Sequence, residues 1–157
     1  MPVKRERPPR YMRASPLKEA RPPLILANEL MGRIVAILRR RLDMSQRRFA
    51  QELDWPQGLV SKVERGDVSI TWDQVDAIAA VLSRVEEERR GRKASIGWAT
   101  WELFRLADLT ADELDLEGFR IIWKTERLMK NPDRYVRGEE LEDRILDVWA
   151  EDYRDRL

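Results

Sequence analysis

Apolar residues recur at helical spacing along most of the chain. Between residues 28 and 42 the apolar positions follow a period of about 3.6 residues, which predicts a helix with one buried face and with Asn28 as its cap. These positions are Leu30, Ile34, Ile37, Leu38 and Leu42. Comparable spacing recurs over residues 45–53, 56–65 and 67–84, and again beyond residue 110. The pattern predicts an all-α protein.

The stretch from Ser45 to Gly66 predicts two short helices joined by a tight turn. Ser45 is a favourable N-cap, and Pro56 forces Trp55 out of the helical region of backbone space. Gly66 is a typical stop after the second helix. The predicted inward positions of the two helices are Phe49, Ala50, Leu53, Val60 and Val63. A capping box of Thr71 and Gln74 then begins a fourth helix.

This stretch resembles the helix-turn-helix of the Cro and phage-repressor type, the Xre-like group of DNA-binding regulators. The resemblance spans roughly residues 29–83 and is carried by Ser45-Gln46, Phe49-Ala50, Val60-Ser61 and Glu64-Arg65-Gly66. It implies a four-helix domain whose third helix, the recognition helix at residues 56–65, enters the major groove of DNA. The chain departs from the family in having Asp54 where a glycine is usual in the turn. Gly58 also removes one possible base-reading side chain.

The resemblance implies base contacts from outward positions of the recognition helix and phosphate contacts around it. The base-reading candidates are Gln57, Gly58, Leu59, Ser61 and Lys62, because glutamine suits adenine, lysine suits guanine and leucine can contact a thymine methyl group. The phosphate candidates are Gln46, Arg47, Arg48, Arg65 and Ser69. Alternatively, Gln57 and Ser69 only cap helices and Lys62 contacts only phosphate.

The resemblance also implies a structural ion pair between Arg39 and Glu64. The neighbouring arginines, Arg40 and Arg41, are expected to contact solvent or phosphate. Residues 33–65 contain eight basic and four acidic side chains, so positive charge surrounds the predicted DNA-reading helix.

Residues 1–26 are predicted to form an extended, basic, proline-rich arm. Residues 1–23 contain six of the eight prolines and carry seven basic against two acidic side chains. The arm's arginines, Arg5, Arg7, Arg10 and Arg13, are candidates for phosphate or minor-groove contacts. A solvated tail is the alternative.

The remaining predicted domains are the helix-turn-helix domain at residues 27–90 and a small C-terminal helical domain at residues 91–157. In the C-terminal domain, Leu109–Leu114 has the pattern of a capping box that begins a helix ending near Lys130. Four cations at helical spacing on that helix, Arg120, Lys124, Arg127 and Lys130, form a possible second DNA surface or a solvated face. The apolar face of a last helix at 138–155, with Trp149, is either a dimer interface or core.

Composition excludes several kinds of chemistry. The chain has no cysteine and no histidine, which removes disulfides, zinc–thiolate sites and the commonest general base. The carboxylates form no cluster that suggests an active site, so we predict no enzyme activity, no cofactor and no metal. No apolar run approaches the ~20 residues that span a bilayer, and we expect a cytoplasmic protein without membrane contact.

The leading hypothesis is a sequence-specific double-stranded DNA-binding transcriptional regulator, a repressor by family precedent. The expected form is a homodimer on a palindrome. One alternative is a monomer that contacts an asymmetric site with two domains. Another is an antitoxin-like protein in which residues 96–157 bind a protein partner and the helix-turn-helix autoregulates.

Overall fold

A computed structural model describes residues 22–93, 97–122 and 134–152. Over these residues the fold is mostly helical, as predicted. The helices are α1 (Ala27–Arg41), α2 (Gln46–Leu53), α3 (Gln57–Arg65), α4 (Trp72–Arg90), α5 (Thr100–Leu116) and α6 (Gly138–Asp152). Two three-residue strands complete it, β1 (Leu24–Leu26) and β2 (Arg120–Ile122). Among the helices in these ranges, none combines the length and apolarity that crossing a membrane requires.

Helix α1 is the centre of the molecule. It packs against α3, α4, α5 and α6, and a helix enclosed in this way is apolar around most of its circumference. Its buried apolar side chains are Leu30, Ile34, Val35, Ala36, Ile37 and Leu38. All of them except Ala36 belong to one hydrophobic cluster that also contains Leu103 of α5 and Trp149 of α6. Both predicted helical domains therefore contribute to the same core.

The two strands form a small parallel sheet that the helical periodicity does not predict. Leu24, Ile25 and Leu26 pair with Arg120, Ile121 and Ile122, and all three β1 residues are buried. The amide of Arg120 donates to the carbonyl of Pro23 at 2.9 Å, and the amide of Val136 donates to the carbonyl of Leu24 at 2.8 Å. The segment directly before α1 is therefore anchored to the C-terminal part of the chain.

The predicted cap of α1 is wrong. Helix α1 begins at Ala27, after Leu26, and no side chain caps its first turn. Asn28 lies inside the helix, where its Nδ2 donates to Ser69 Oγ at 3.2 Å. The strand pairing of Leu24–Leu26 sets the direction of the chain into α1.

The predicted helix start near Thr110 is also wrong. Helix α5 already begins at Thr100 and ends at Leu116, so Thr110 is a buried mid-helix residue whose hydroxyl donates to the carbonyl of Leu106 at 2.6 Å. Burial of Leu103 and Leu106 stabilises the turns before Thr110. After Leu116 the chain turns at Gly118, whose φ is +100°, and enters β2. The predicted helix therefore does not continue to residue 130.

Trp149 belongs to the core and is not available as a dimer interface. Its side chain is 2% exposed, and its Nε1 donates to Thr110 Oγ1 at 2.9 Å. The other predicted apolar positions of the last helix up to Val148 are buried as well, namely Leu141, Ile145 and Val148. Helix α6 uses this face to pack on α1 and α5.

Candidate nucleic-acid interface

The turn between α2 and α3 and the ends of both helices are set by residues with strong local conformational preferences. The Ser45 side chain accepts a hydrogen bond from the amide of Arg48 at 3.0 Å and caps α2. Asp54 ends α2 in the left-handed conformation, with φ 57° and ψ 42°, a region that aspartate tolerates better than most residues. Pro56 then precedes α3 as its N-cap residue, and Gly66 ends α3 with φ 76°. The predicted helix–turn–helix path is therefore present.

Helix α3 has a sharply divided surface. Val60, Val63 and Glu64 are buried, and they face the rest of the protein. On the opposite side, Gln57, Gly58 and Lys62 are exposed, while Leu59 and Ser61 are partly exposed. All five predicted base-reading positions therefore lie at or near the outward surface of one helix, which is the arrangement that insertion into a DNA groove requires.

A buried polar network holds α3 in place. Glu64 is 1% exposed, and its carboxylate accepts from Arg39 Nε at 2.7 Å and from Arg39 Nη2 at 3.2 Å. Gln46 Nε2 donates to the same carboxylate at 3.1 Å, and Arg39 Nη1 donates to the carbonyl of Met44 at 2.7 Å. The network joins α1, the start of α2 and the end of α3. Because it is buried and ionic, it fixes the orientation of α3 relative to α2.

Residues 30–91 match the family model of a helix-turn-helix domain. These residues form a helix-turn-helix domain. The match contains most of α1 and all of α2, α3 and α4, and it covers less than half of the chain. Comparisons with curated proteins and with solved structures found no significant match.

The predicted phosphate-binding residues of the helix-turn-helix domain differ in their exposure and in the partners they already have within the protein. Arg47 and Arg48 are exposed in the first turn of α2, and Arg48 Nε lies 4.0 Å from Glu52. Gln46 is partly buried and donates to Glu64, so its side chain already has an internal role. Two exposed cations, Lys62 and Arg65, lie at the end of α3.

Arg65 and Ser69 already have partners within the protein. Arg65 Nε donates to Asp67 at 3.0 Å and its Nη1 donates to Ser61 Oγ at 2.9 Å. Ser69 Oγ accepts from Asn28 at 3.2 Å. A phosphate contact by Arg65 would take the place of its exposed ion pair with Asp67. Breaking an exposed pair of this kind costs little folding free energy.

Arg40 and Arg41 are exposed to solvent, as expected, but each also has a partner in α6. Arg40 Nη2 forms an ion pair with Glu142 of α6, and the guanidinium of Arg41 lies over the ring of Trp149, 5.5 Å from its centroid. Burial lowers the pKa of Arg41, and the charge of Arg90 lowers this pKa further. Both arginines are drawn towards α6, a contact between distant segments that the local sequence does not reveal.

One of the four cations of the second predicted DNA surface lies within the described residues, and it is in a strand and not in the predicted helix. Arg120 lies in β2, where its backbone pairs with β1 and its side chain is exposed. Lys124, Arg127 and Lys130 lie outside the described residues, as do the four arm arginines, Arg5, Arg7, Arg10 and Arg13.

Two glycines determine how closely α1 and the end of α3 approach, and the sequence interpretation treated Gly66 only as a helix stop and did not use Gly32. A Cβ at Gly32 would lie 2.1 Å from the carbonyl oxygen of Val63, and a Cβ at Gly66 would lie 2.5 Å from both N and Cα of Glu29. Helices α1 and α3 therefore touch backbone to backbone. The signal available in the sequence was Gly32 itself, a poor helix former in the middle of an apolar helix.

Proposed function

We propose that this chain is a sequence-specific double-stranded DNA-binding transcriptional regulator of the Cro and phage-repressor (Xre-like) type. The observation that carries the proposal is the divided surface of α3. Its inner side is fixed by the buried contact of Glu64 with Arg39, while Gln57 and Lys62 stand exposed on its outer side. A rigidly held helix with polar side chains directed outward can enter the major groove without rearrangement.

In this proposal, side chains at the start and middle of α3 read base edges. Gln57 can form a bidentate pair with adenine, and Lys62 can donate to O6 and N7 of guanine. Leu59 supplies an apolar contact for a thymine methyl group, and Ser61 can donate or accept. At Gly58 the absence of a side chain leaves space for the helix to approach the groove, since nothing lies within 4 Å of a Cβ built there.

Contacts to the phosphates then fix the register of α3 along the DNA. Arg47 and Arg48 lie at the N-terminus of α2, where the free amide groups and the helix dipole favour an anion. Arg65 and Ser69 flank the other end of α3, and the arm arginines extend the contact along the backbone. These contacts supply affinity that falls steeply with salt concentration.

We further propose that the regulator represses transcription by occupying its site and excluding polymerase. A homodimer would place one α3 in each half of a palindrome, about one helical turn apart. A monomer would instead combine α3, the arm and the basic residues around Arg120 on an asymmetric site. Because Trp149 is internal, a dimer would have to form through another surface.

An antitoxin-like function, with a protein partner bound by the C-terminal part, has one specific observation in its favour. In the C-terminal part, Trp101 of α5 is 54% exposed, and Phe104 of α5 stacks on the 61% exposed Trp72 of α4 with 4.8 Å between ring centroids. Large exposed aromatic side chains are typical anchors of protein interfaces.

Selection of binding sites from a random duplex library, with the purified full chain, tests the proposal. The control is a variant with both Gln57→Ala and Lys62→Ala, which keeps Arg47 and Arg48. Enrichment of a motif by the natural chain and its loss in the variant support base reading by α3. Absence of enrichment by the natural chain would contradict sequence-specific DNA binding and favour a function in which the C-terminal part binds a protein partner.

The form of the enriched motif also tests the oligomeric state. A palindrome supports the homodimer. An asymmetric motif longer than one half-site contradicts the homodimer and supports the monomer with two contact surfaces.

A further inference from the structure

Glu29 connects the start of α6 to the start of α1. Its side chain is 3% exposed, and its carboxylate accepts from Arg137 Nε at 2.7 Å and from the amide of Gly138 at 3.0 Å. Gly138 is the first residue of α6. A carboxylate at this position satisfies a free amide at the helix N-terminus and neutralises Arg137, so the buried charge of Glu29 depends on both partners.

The backbone of Glu29 meets the end of α3. Gly66 has φ 76°, and a Cβ there would lie 2.5 Å from N and Cα of Glu29. The neighbouring residue, Asn28, donates to Ser69 Oγ at 3.2 Å in the segment that follows α3. Residues 28 and 29 therefore contact two separate parts of the protein. The Glu29 side chain binds the start of α6, whereas the Glu29 backbone packs against Gly66 and the Asn28 side chain binds Ser69 in the segment after α3.

The next turn of α1 repeats this arrangement. Gly32 lies against the carbonyl of Val63 in α3, while Arg33 Nη1 donates to Glu142 of α6 at 3.2 Å. The first two turns of α1 are therefore held between the end of α3 on one side and the beginning of α6 on the other. A displacement of α6 would move the part of α1 on which α3 rests.

We propose that Glu29 and Arg137 are positioning residues for DNA reading, through which α6 fixes the end of the recognition helix and the segment containing Ser69. The inference rests on the proposed DNA-binding function. In this inference the C-terminal part supports DNA reading by α3 without contacting DNA itself. Loss of the Arg137 contact leaves the Glu29 carboxylate with fewer hydrogen-bond donors. It thereby loosens the first turn of α1, against which Gly66 packs.

The test replaces Arg137 and compares the result with a matched variant on the same segment. Arg137→Ala is the test variant, and Arg137→Lys keeps the charge with a less suitable donor geometry. Arg144→Ala is the control, since Arg144 lies in α6 over the ring of Phe119, 5.6 Å from its centroid, and within the part of the chain that the structure describes it forms no ion pair with α1. Affinity is measured for the selected duplex and for a random duplex.

We expect Arg137→Ala to weaken binding to the selected duplex by about 2- to 30-fold, the range found for mutations that couple distant sites. Binding to the random duplex should change less, and Arg137→Lys should lie between Arg137→Ala and the natural chain. Affinity of Arg137→Ala equal to that of the natural chain, or an equal loss in Arg144→Ala, would overturn the inference. If Arg137→Ala strongly lowers the melting temperature of the protein, the affinity of Arg137→Lys is compared with that of the natural chain instead. Equal affinity of these two proteins would overturn the inference.

Amide hydrogen exchange separates this inference from the proposed function, because it needs no DNA. Exchange over residues 63–70 should become faster in Arg137→Ala and stay unchanged in Arg144→Ala. Faster exchange without any DNA binding by the natural chain would contradict the proposed function and leave the mechanical connection intact. Unchanged exchange, with specific DNA binding by the natural chain, would contradict only the inference.

Discussion

Gly32 of α1 lies directly against the carbonyl oxygen of Val63 in α3, and a Cβ at Gly32 would come within 2.1 Å of that oxygen. No real Cβ tolerates such a distance, so the separation of these two helices depends on the missing side chain. Because Val63 precedes the buried Glu64, this contact and the contact of Glu64 with Arg39 lie at adjacent positions of α3. Together they determine how far α3 protrudes from the rest of the protein.

Replacing Gly32 with alanine should destabilise the protein although alanine is the better helix former. Overpacking against a backbone atom costs about 1–3 kcal/mol, which exceeds the gain of about 0.5–1 kcal/mol in helix propensity. Gly58→Ala is the control, because nothing lies within 4 Å of its Cβ, and it should be neutral or stabilising. Urea unfolding of both variants measures the difference, and equal stability of the two would contradict the close approach of α1 and α3.

Removing Glu64 should be among the most harmful single changes in the helix-turn-helix domain. Glu64→Ala leaves the buried guanidinium of Arg39 without its counter-charge, and breaking such a pair costs about 3–5 kcal/mol. The double variant Arg39→Met with Glu64→Leu should recover most of the loss. Arg89→Ala, which removes an exposed pair with Asp43, should cost no more than about 1 kcal/mol in the same unfolding measurement.

The hydroxyl of Thr110 should stabilise the packing of α5 against α6. Thr110→Val keeps the shape but leaves the buried indole N–H of Trp149 without its acceptor, which costs about 1–3 kcal/mol. Thr100→Val, at the start of the same helix, removes a hydroxyl that donates to the exposed Asp76 and should cost less. Comparable thermal destabilisation by the two changes would show that the Trp149 hydrogen bond contributes little.

Separate substitutions on α3 should distinguish base reading from general affinity. Gln57→Ala and Lys62→Ala should each weaken binding to the selected duplex by about 1–3 kcal/mol and broaden the accepted base at one position. Gln51→Ala, at an exposed position of α2 outside the predicted contacts, should leave both properties unchanged. Binding assays with single-base variants of the site provide the measurement. An equal loss on random DNA would refute base reading by either side chain.

Deletion of residues 1–21 should reduce the salt dependence of DNA binding. Each phosphate contact contributes about 0.9 to the slope of log affinity against log salt, so four arm arginines account for at most about 3.6. The deletion spares Pro22, whose carbonyl accepts from Arg134 Nη2 at 3.4 Å. Replacing Arg5, Arg7, Arg10 and Arg13 with glutamine should give the same change, and an unaltered slope in both variants would make the arm a passive tail.

Features that depend on neighbouring residues could be predicted from the sequence. Ser45 caps α2, Asp54 adopts the left-handed conformation, and Thr71 with Gln74 forms the capping box of α4. Each needs only a few adjacent positions to be recognised. The outward face of α3 could be predicted for the same reason, since a helical period fixes which side chains oppose Val60 and Val63.

Features that depend on distant residues could not be predicted in this way. Thr110 has the local pattern of a helix start, yet burial of Leu103 and Leu106 against the core extends α5 through it. Arg40 and Arg41 are cations at a helix end, and only the fold brings Glu142 and Trp149 beside them. The helical period therefore identified the outward surface of α3 correctly but gave no indication of the distant contacts that support the helices from inside.

The parallel pairing of β1 with β2 has a consequence for the order in which the protein can fold. Leu24 and Arg120 are 96 positions apart (120 − 24), and α1 also needs α6, which is synthesised after the other five described helices. At about 5–20 residues per second, several seconds separate synthesis of α4 from that of α6. During this interval the apolar side of α1 that α6 will cover is open to the wrong partners. The nascent chain should therefore be most prone to aggregation, and most dependent on chaperones, after α2 and α3 have already been made.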